Sequence, residues 1–404
     1  MRSYFIIFLS ILYVVSVVSL TNTRSKYWKN FKLDFDRKFE NAAEETRREK
    51  IFWKNLKRIS HHNFNYRHGS SSYKIGINQF SDMTFHEYAA LFTANETIMA
   101  LSAEKTKGMK FYPERIFSSE DADGENIPET FDWREKGAVT PINDQKKCGS
   151  CYAMSSLGAV ESHWFIRSGK LIEMSEQEII DCSIEKYLGL GCSGGIAFQV
   201  FEYVKDNAIS SAADYPYEAV VGECRPKKDK IHVDIEGTGY VDTGENGELA
   251  LMAALSTIGP IAISIDLKHE SFMRYSGGVY FEANCTTEVN HGALLVGYGT
   301  ESDEDFWIIK NSFGETWGEG GYMRMSRKQG NGCGIMEAPI FPVFKEPSKL
   351  VNALEYFDNH LSILNNLEPN GDENPSDLND FLTFMRSHLD KIRGVVNSTE
   401  APKE

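Results

Sequence analysis

The stretch Gln145-Lys146-Lys147-Cys148-Gly149-Ser150-Cys151-Tyr152 places a cysteine where a helix begins, six residues after a glutamine. Residues 151–167 are apolar on most sides and Ser168-Gly169 closes them, which reads as a buried helix. Far downstream, His291 opens an apolar run, and Asn311 is followed by Ser312 and Phe313. A thiol, an imidazole and two amides are the parts of nucleophilic acyl transfer. A free thiol has a pKa of about 8.5 and is mostly unreactive in mild acid. At a helix N-terminus, unpaired N–H groups and the dipole favour its anion. The expectation is a Cys151 thiolate beside a His291 imidazolium, with His291 protonating the leaving amine and then activating water. Asn311 would orient the ring. Gln145 and the Cys151 N–H would donate to the developing oxyanion.

Around this stretch the texture changes from helical to strand-like. Glu176–Asp181 and Ala197–Asp206 read as helices. After Gly259-Pro260, Ile261, Ile263 and Ile265 alternate, and His291–Gly299, Phe306–Asn311 and Gly321–Met325 are strand-like. This is an α+β pattern, with a helical half, a β half and a cleft between them. Upstream, Glu44, Arg48, Phe52, Asn55, Ile59 and Asn63 fall at steps of three or four and share one helical face. Gly76-Ile77-Asn78-Gln79-Phe80-Ser81-Asp82 alternates like a strand and runs into an acidic helix start. Residues 118–126 hold four carboxylates and no large apolar side chain, an exposed linker before Ile127 and a candidate processing site. Leu350, Leu354, Phe357, Leu361 and Leu364, and again Leu378 to Ile392, fall at helical spacing around a Pro/Gly breaker. They read as a helical hairpin in a tail, 346–404, with 11 acidic and 5 basic residues.

The chain has 404 residues and a net charge of −15, too long for one ordinary core and the wrong sign for a general nucleic-acid binder. Arg2 precedes a mostly apolar run over Phe5–Val18, and small residues at Ser16 and Ser19 read as the end of a secretory signal, 1–19. The run is short for a membrane span, and no stable span is expected. Secretory entry favours disulfides among the seven cysteines. It also makes the sequons at Asn95, Asn284 and Asn397 candidates for glycosylation, although Asn284 has Cys285 inside its triplet. No cysteine pair has zinc spacing, and no metal or other cofactor is implied. Cys148-x-x-Cys151 admits a redox reading, which requires those two sulfurs to pair with each other.

Several of these segments together resemble the papain family of cysteine proteases. Cys148-Gly-Ser-Cys151-Tyr152 resembles the family's nucleophile signature, with His291 and Asn311 lying 140 and 160 residues beyond Cys151. Ile127-Pro-Glu-Thr-Phe-Asp-Trp-Arg134 resembles the family's mature N-terminus, and Gly191-Cys-Ser-Gly-Gly195 its substrate-binding loop. Asn290-His291-Gly-Ala and Asn311-Ser-Phe-Gly-Glu-Thr-Trp-Gly318 resemble its histidine and asparagine blocks. The six-residue helical face is similar to the ERFNIN motif, and Gly76-x-Asn78-x-Phe80-x-Asp82 to the GNFD motif, of cathepsin L-type propeptides.

The resemblance implies a papain-like two-subdomain fold over 127–345, a helical left half and a β-barrel-like right half, preceded by an inhibitory propeptide, 20–126. It implies the bridges Cys148–Cys192, Cys182–Cys224 and Cys285–Cys333, leaving Cys151 free. It implies a substrate site of Gly194, Gly195, Ile196, Ala197, Ser264, Val289, Asn290 and Ala338, with Phe313 and Trp317 on the leaving-group side. The pocket lining is apolar, so a hydrophobic residue two positions before the scissile bond would be preferred and an arginine there disfavoured. The implied partners are protein and peptide substrates, the chain's own propeptide and cystatin-like inhibitors. The implied compartment is an acidic lysosomal vesicle or the extracellular space. Only nine residues separate Cys182 from Cys192 and no paired histidine lies between them, so a dipeptidase blocking loop is not evident and internal cleavage is expected. Two positions depart from the family: Tyr152 and Phe313 each stand where it usually has Trp. The change at 313 is expected to alter efficiency or leaving-side preference without abolishing activity. A binding or inhibitory protein on a retained protease framework is the competing reading, and the complete Cys151/His291/Asn311/Gln145 set argues against it.

Overall fold

A run of alternating apolar residues can bury both faces of a strand if a different layer waits on each side. The computed structural model, which describes residues 26–92, 115–121 and 127–345 apart from 185, 188, 329 and 331, does this in its central strands. From the N-terminus it runs through helix α1 (26–34), α2 (Ala42–Arg67), β1 (Tyr73–Ile75), α3 (Phe85–Phe92), β2 (Arg115–Phe117) and β3 (Phe131–Asp132). Helices α4 (Cys151–Ser168), α5 (Glu176–Cys182) and α6 (Ala197–Asn207) follow. Then come β4 (Ile235–Val241), α7 (Gly247–Thr257), β5 (Ile261–Ile265), α8 (Glu270–Met273), β6 (Tyr275–Tyr280), β7 (His291–Glu301), β8 (Glu304–Lys310), β9 (Tyr322–Ser326) and β10 (Ile340–Phe344).

The sheet has the order β1-β6-β9-β8-β7-β5-β10-β4-β2, with β3 paired to β7. Ile261, Ile263, Ile265, Leu295, Trp307 and Ile309 enter one core, whose other members include Leu251 and Leu255 of α7. The intervening Ala262, Leu294, Val296, Phe306 and Ile308 enter a second core with Leu157 of α4 and Val200 and Phe201 of α6. The strands β5, β7 and β8 therefore form the wall between a helical half and a sheet half. Helix α4 packs on that wall, and its stretch Tyr152–His163 is buried. Gly169, left-handed at φ 70°, ends it with its N–H on the Phe165 carbonyl.

The expected helices over 176–181 and 197–206 form, each one residue longer than read. Helix α7 and strands β4, β6 and β10 were not read from the sequence; their glycines and short apolar runs carry no clear period. The chain divides into a unit ending at Phe344 and a second from Lys345 to Glu404. The expected signal over 1–19 and the acidic tail hairpin lie outside the described residues. Among the described residues no helix is long and apolar enough to cross a membrane.

The prosegment residues on the shared helical face each acquire a partner. Glu44 pairs with Arg48 at 2.7 Å, and Arg48 reaches the Asp82 carbonyl and the Glu87 carboxylate, both at 3.1 Å. Phe52 is fully buried against Trp28 and Phe31 of α1. The Asn55 amide donates to the Ser81 and Met83 carbonyls, both at 2.9 Å, and its oxygen accepts from Arg274 at 2.9 Å. The Asn63 amide exchanges two hydrogen bonds with the Ile75 backbone. Strand β1 then adds antiparallel to β6, which carries the prosegment onto the sheet half.

Candidate active site

Cys151 is the first residue of α4, and it is the one free cysteine among the described residues. The other six form the bridges Cys148–Cys192, Cys182–Cys224 and Cys285–Cys333, which removes the redox reading of Cys148-x-x-Cys151. Bridge Cys148–Cys192 ties the nucleophile loop to the glycine-rich loop, and the Gly149 N–H bonds the Cys192 carbonyl at 2.8 Å. His291 opens β7. The glycine after it lets the strand approach the helix: a Cβ on Gly292 would stand 3.1 Å from the Cys151 carbonyl oxygen. The backbone N–H groups of Gly292, Tyr152 and Cys151 each pull the titration of the Cys151 thiol down.

His291 Nε2 lies 2.8 Å from Asn311 Oδ1, which also accepts the Ser312 N–H at 2.8 Å. An oxygen that accepts both fixes the proton on Nε2, so Nδ1 is the ring atom free for the sulfur. Nδ1 is buried and has no hydrogen-bond partner among the described residues. The Gln145 oxygen accepts from Ser312 Oγ at 2.6 Å, and its amide nitrogen donates to the Cys148 carbonyl at 3.0 Å. The Gln145 N–H also bonds the Ser312 carbonyl at 2.9 Å. Ser312 therefore braces both amides of the site, a role not read from the sequence although the residue lies inside the Asn311 block.

Burial pushes the Cys151 thiol up against the opposing pull of the three N–H groups, and burial pushes the His291 imidazole down to about 4. With the prosegment in place, both directions favour the neutral pair. The Phe313 ring lies 5.1 Å from the His291 ring and is only 1% exposed, because Phe80 and Tyr88 of the prosegment stand edge-on against it at 5.4 and 6.3 Å. Gln79 also donates from Nε2 to the Phe313 carbonyl and accepts from Thr316 Oγ1 at 2.9 Å. Trp317 is wholly buried behind Phe313, its Nε1 donating to the Phe272 carbonyl at 3.2 Å, so it supports the Phe313 ring from beneath.

Of the implied substrate pocket, Ile196, Ala197, Ser264 and Val289 are half-buried and Ala338 is exposed. Ser264 on β5 pairs with Gly292, next to His291. Gly194 takes φ 112°, and a Cβ on Gly195 would meet the Tyr152 ring at 2.5 Å, so glycine there is required by the residue following the nucleophile. The Asn290 side chain turns away from the site: it donates to Asp266 at 2.8 Å and accepts the Leu267 N–H at 3.0 Å. His163 is structural, its Nε2 2.9 Å from the Pro260 carbonyl. Asn284 is exposed beside Cys285; Asn95 and Asn397 lie outside the described residues. Asp266, His269 and Cys285 form the metal-sized cluster among the described residues, but Cys285 is committed to its bridge with Cys333.

Behind the site the sequence reading missed a buried charged group. Thr140 Oγ1 donates to Glu161 at 2.6 Å and receives Lys310 Nζ at 2.9 Å; Asn143 donates to Glu176 at 2.6 Å. Burial raises Glu161 to about 7, against the pull of Lys310, and Glu176 to about 8. A small pocket lined by Asn143, Ser155, Lys310, Asn311 and Ser312 separates this group from the site.

The papain family cysteine protease domain matches residues 127–343, and the cathepsin propeptide inhibitor domain matches residues 28–88. The chain belongs to the papain family of cysteine proteases. Its catalytic domain and prosegment together are 39% identical to cathepsin L of Sarcophaga peregrina over 348 residues, covering 85% of this chain and 99% of that one. A cathepsin L-like peptidase of Aedes aegypti is 41% identical over 333 residues, covering 81% and 96%. Among solved structures, digestive procathepsin L 3 of the Tenebrio molitor larval midgut superposes with a TM-score of 0.70 at 34% identity, covering 80% and 99%. The precursor of stem bromelain superposes with 0.68 at 34%, covering 80% and 100%. This papain-family protease is therefore a zymogen of α+β papain-like fold, with an inhibitory prosegment built into the same chain.

Proposed function

We propose that this papain-family protease is an endopeptidase that cuts through an acyl-enzyme on Cys151 and prefers a hydrophobic residue two positions before the scissile bond. The observation that carries the reading is the hydrogen-bonded run His291–Asn311–Ser312–Gln145 with Gly292 close against the Cys151 backbone, and with the prosegment's Phe80 and Tyr88 over the adjoining Phe313. Once the prosegment leaves, water and substrate reach the sulfur. The Cys151 proton passes to His291 Nδ1, and the thiolate attacks the peptide carbonyl carbon. The oxyanion forms against the Cys151 N–H and the Gln145 amide. His291 gives its proton to the departing amine, leaving a thioester. It then takes a proton from water as the hydroxyl attacks, and the carboxylic acid leaves as the thiolate is restored.

The apolar lining from Ile196, Ala197, Val289 and Ala338 supports the side-chain preference, since it offers an arginine no carboxylate. The proposed division of the chain is a signal over 1–19, a prosegment over 20–126, the catalytic domain over 127–345 and an acidic tail over 346–404. An acidic vesicle or the extracellular space is the proposed destination, with protein substrates and cystatin-like inhibitors as partners. Acid incubation of the purified precursor tests the reading. It should shed mass near residue 127 and gain hydrolysis of blocked peptides with Leu two positions before the bond, well above those with Arg. Equal turnover of the two peptides, or none, would remove the proposal.

A further inference from the structure

The residue that starts the nucleophile helix is a serine that does not cap it. Serine at an N-cap normally adopts extended backbone and accepts the N–H of the second or third helical residue. Ser175 does this for α5, with ψ 107° and the Glu178 N–H on its hydroxyl at 3.0 Å. Ser150 has ψ 13° and makes no side-chain cap bond. Its hydroxyl lies instead 2.7 Å from the Tyr217 hydroxyl, and Tyr217 donates to the Gln145 carbonyl at 2.9 Å. A phenol has one proton, so with that proton on Gln145 the Ser150 hydroxyl must donate to Tyr217. Ser150 is fully buried, which leaves its hydroxyl no solvent alternative.

We propose that Tyr217 is a positioning residue for the reaction: it holds the Ser150 hydroxyl away from α4, so that the Tyr152 N–H stays available to the sulfur. The same phenol fixes the backbone of Gln145, joining the start of the helix to the oxyanion donor. Burial keeps the phenol protonated, as this chain of donors requires. The proposal rests on Cys151 being the nucleophile.

The test is the pH dependence of Cys151 alkylation by iodoacetamide, measured on full-length precursor matured by acid, or by traces of wild-type enzyme where a variant does not mature itself. Tyr217→Phe should raise the acidic limb by roughly half a pH unit, the scale of one helix-terminus interaction. It should also lower kcat by roughly 10-fold with KM changed far less, as expected for a contact that matters in the transition state. Adding Ser150→Ala to Tyr217→Phe removes the competing hydroxyl and should return the limb to its wild-type position, which loss of packing alone would not do. An unmoved limb in Tyr217→Phe, or an equally raised limb in the double variant, overturns the proposal. Should Tyr217→Phe fail to fold, Ser150→Ala alone decides: a raised limb there means the hydroxyl serves the sulfur and the proposal is wrong. Failure of Cys151 to alkylate at all would instead sink the protease mechanism itself.

Discussion

At the scale of single residues, the site depends on which atom of each polar group is left over. His291 Nε2 is spent on Asn311, so Nδ1 is the ring atom left over. The Gln145 oxygen is spent on Ser312 and one amide proton on Cys148, so one amide proton remains for an oxyanion. Gln145→Ala should therefore reduce kcat/KM by roughly 10²–10³-fold, mainly through kcat, in steady-state hydrolysis of a blocked peptide. A change confined to KM would show that Gln145 only binds substrate. The types of these residues were legible because the chemistry needs a thiol, an imidazole and amides at ordered positions. Their bracing was not. Ser312 and Tyr217 act through contacts 167 and 72 residues away in sequence, and no local period marks such contacts.

At the scale of elements, the prosegment reads as a stack of anchors. The helical face from Glu44 to Asn63 was visible because a shared face has a spacing. Its partners were not visible, since Asn55 meets Arg274 across 219 residues and Gln79 meets Phe313 across 234. Residues between motif positions, such as Gln79, carry contacts as direct as the motif residues themselves. Phe80→Ala removes an aromatic edge contact and its buried area over Phe313, on the order of 3 kcal/mol. The precursor should then show measurable peptidase activity at neutral pH before any chain cleavage, read by initial rates with intact mass as control.

The proposed acid maturation draws on the same element. Hydrogen bonds from Arg47 and Arg48 hold Glu44 at about 2. Burial works to raise Glu87, but the Thr84 N–H and hydroxyl, with Arg47 and Arg48, outweigh it and hold that carboxyl below its ordinary value. Groups depressed in the folded state contribute stability above the unfolded value, near 4.5, and lose it as pH falls through the folded value. Asp82 runs the other way: burial raises it despite two-pronged pairing with Arg37, so its protonation does not loosen the fold. We therefore propose the Glu44–Glu87 cluster as the trigger of acid release. Glu87→Gln should move the midpoint of precursor processing to higher pH; an unchanged midpoint would place the trigger elsewhere.

At the scale of the whole molecule, the α+β division, the two halves and the three bridges were all legible, the bridges through the family resemblance alone. The buried Glu161, Glu176 and Lys310 were not, because charged residues in an apolar stretch carry no sign of where their partners lie. Both carboxyls are raised in the folded state, so folding favours their protonated forms. Their contribution is fully present below the unfolded value of 4.5 and is lost as pH rises through about 7 and 8. The matured domain should accordingly melt several degrees lower at pH 8 than at pH 5, with Glu161→Gln flattening that slope; a melting point that rises with pH would refute this. The Cys151 sulfur is the centre of the account, and its reactivity is the most direct measurement. The rate of Cys151 modification by a thiol-directed epoxide should be followed by intact mass and peptide mapping, before and after acid maturation. The account predicts one adduct, on Cys151, formed slowly in the precursor and at least roughly 10²-fold faster after maturation than on a free cysteine. Equal rates before and after, or a matured Cys151 no more reactive than free cysteine, would contradict it.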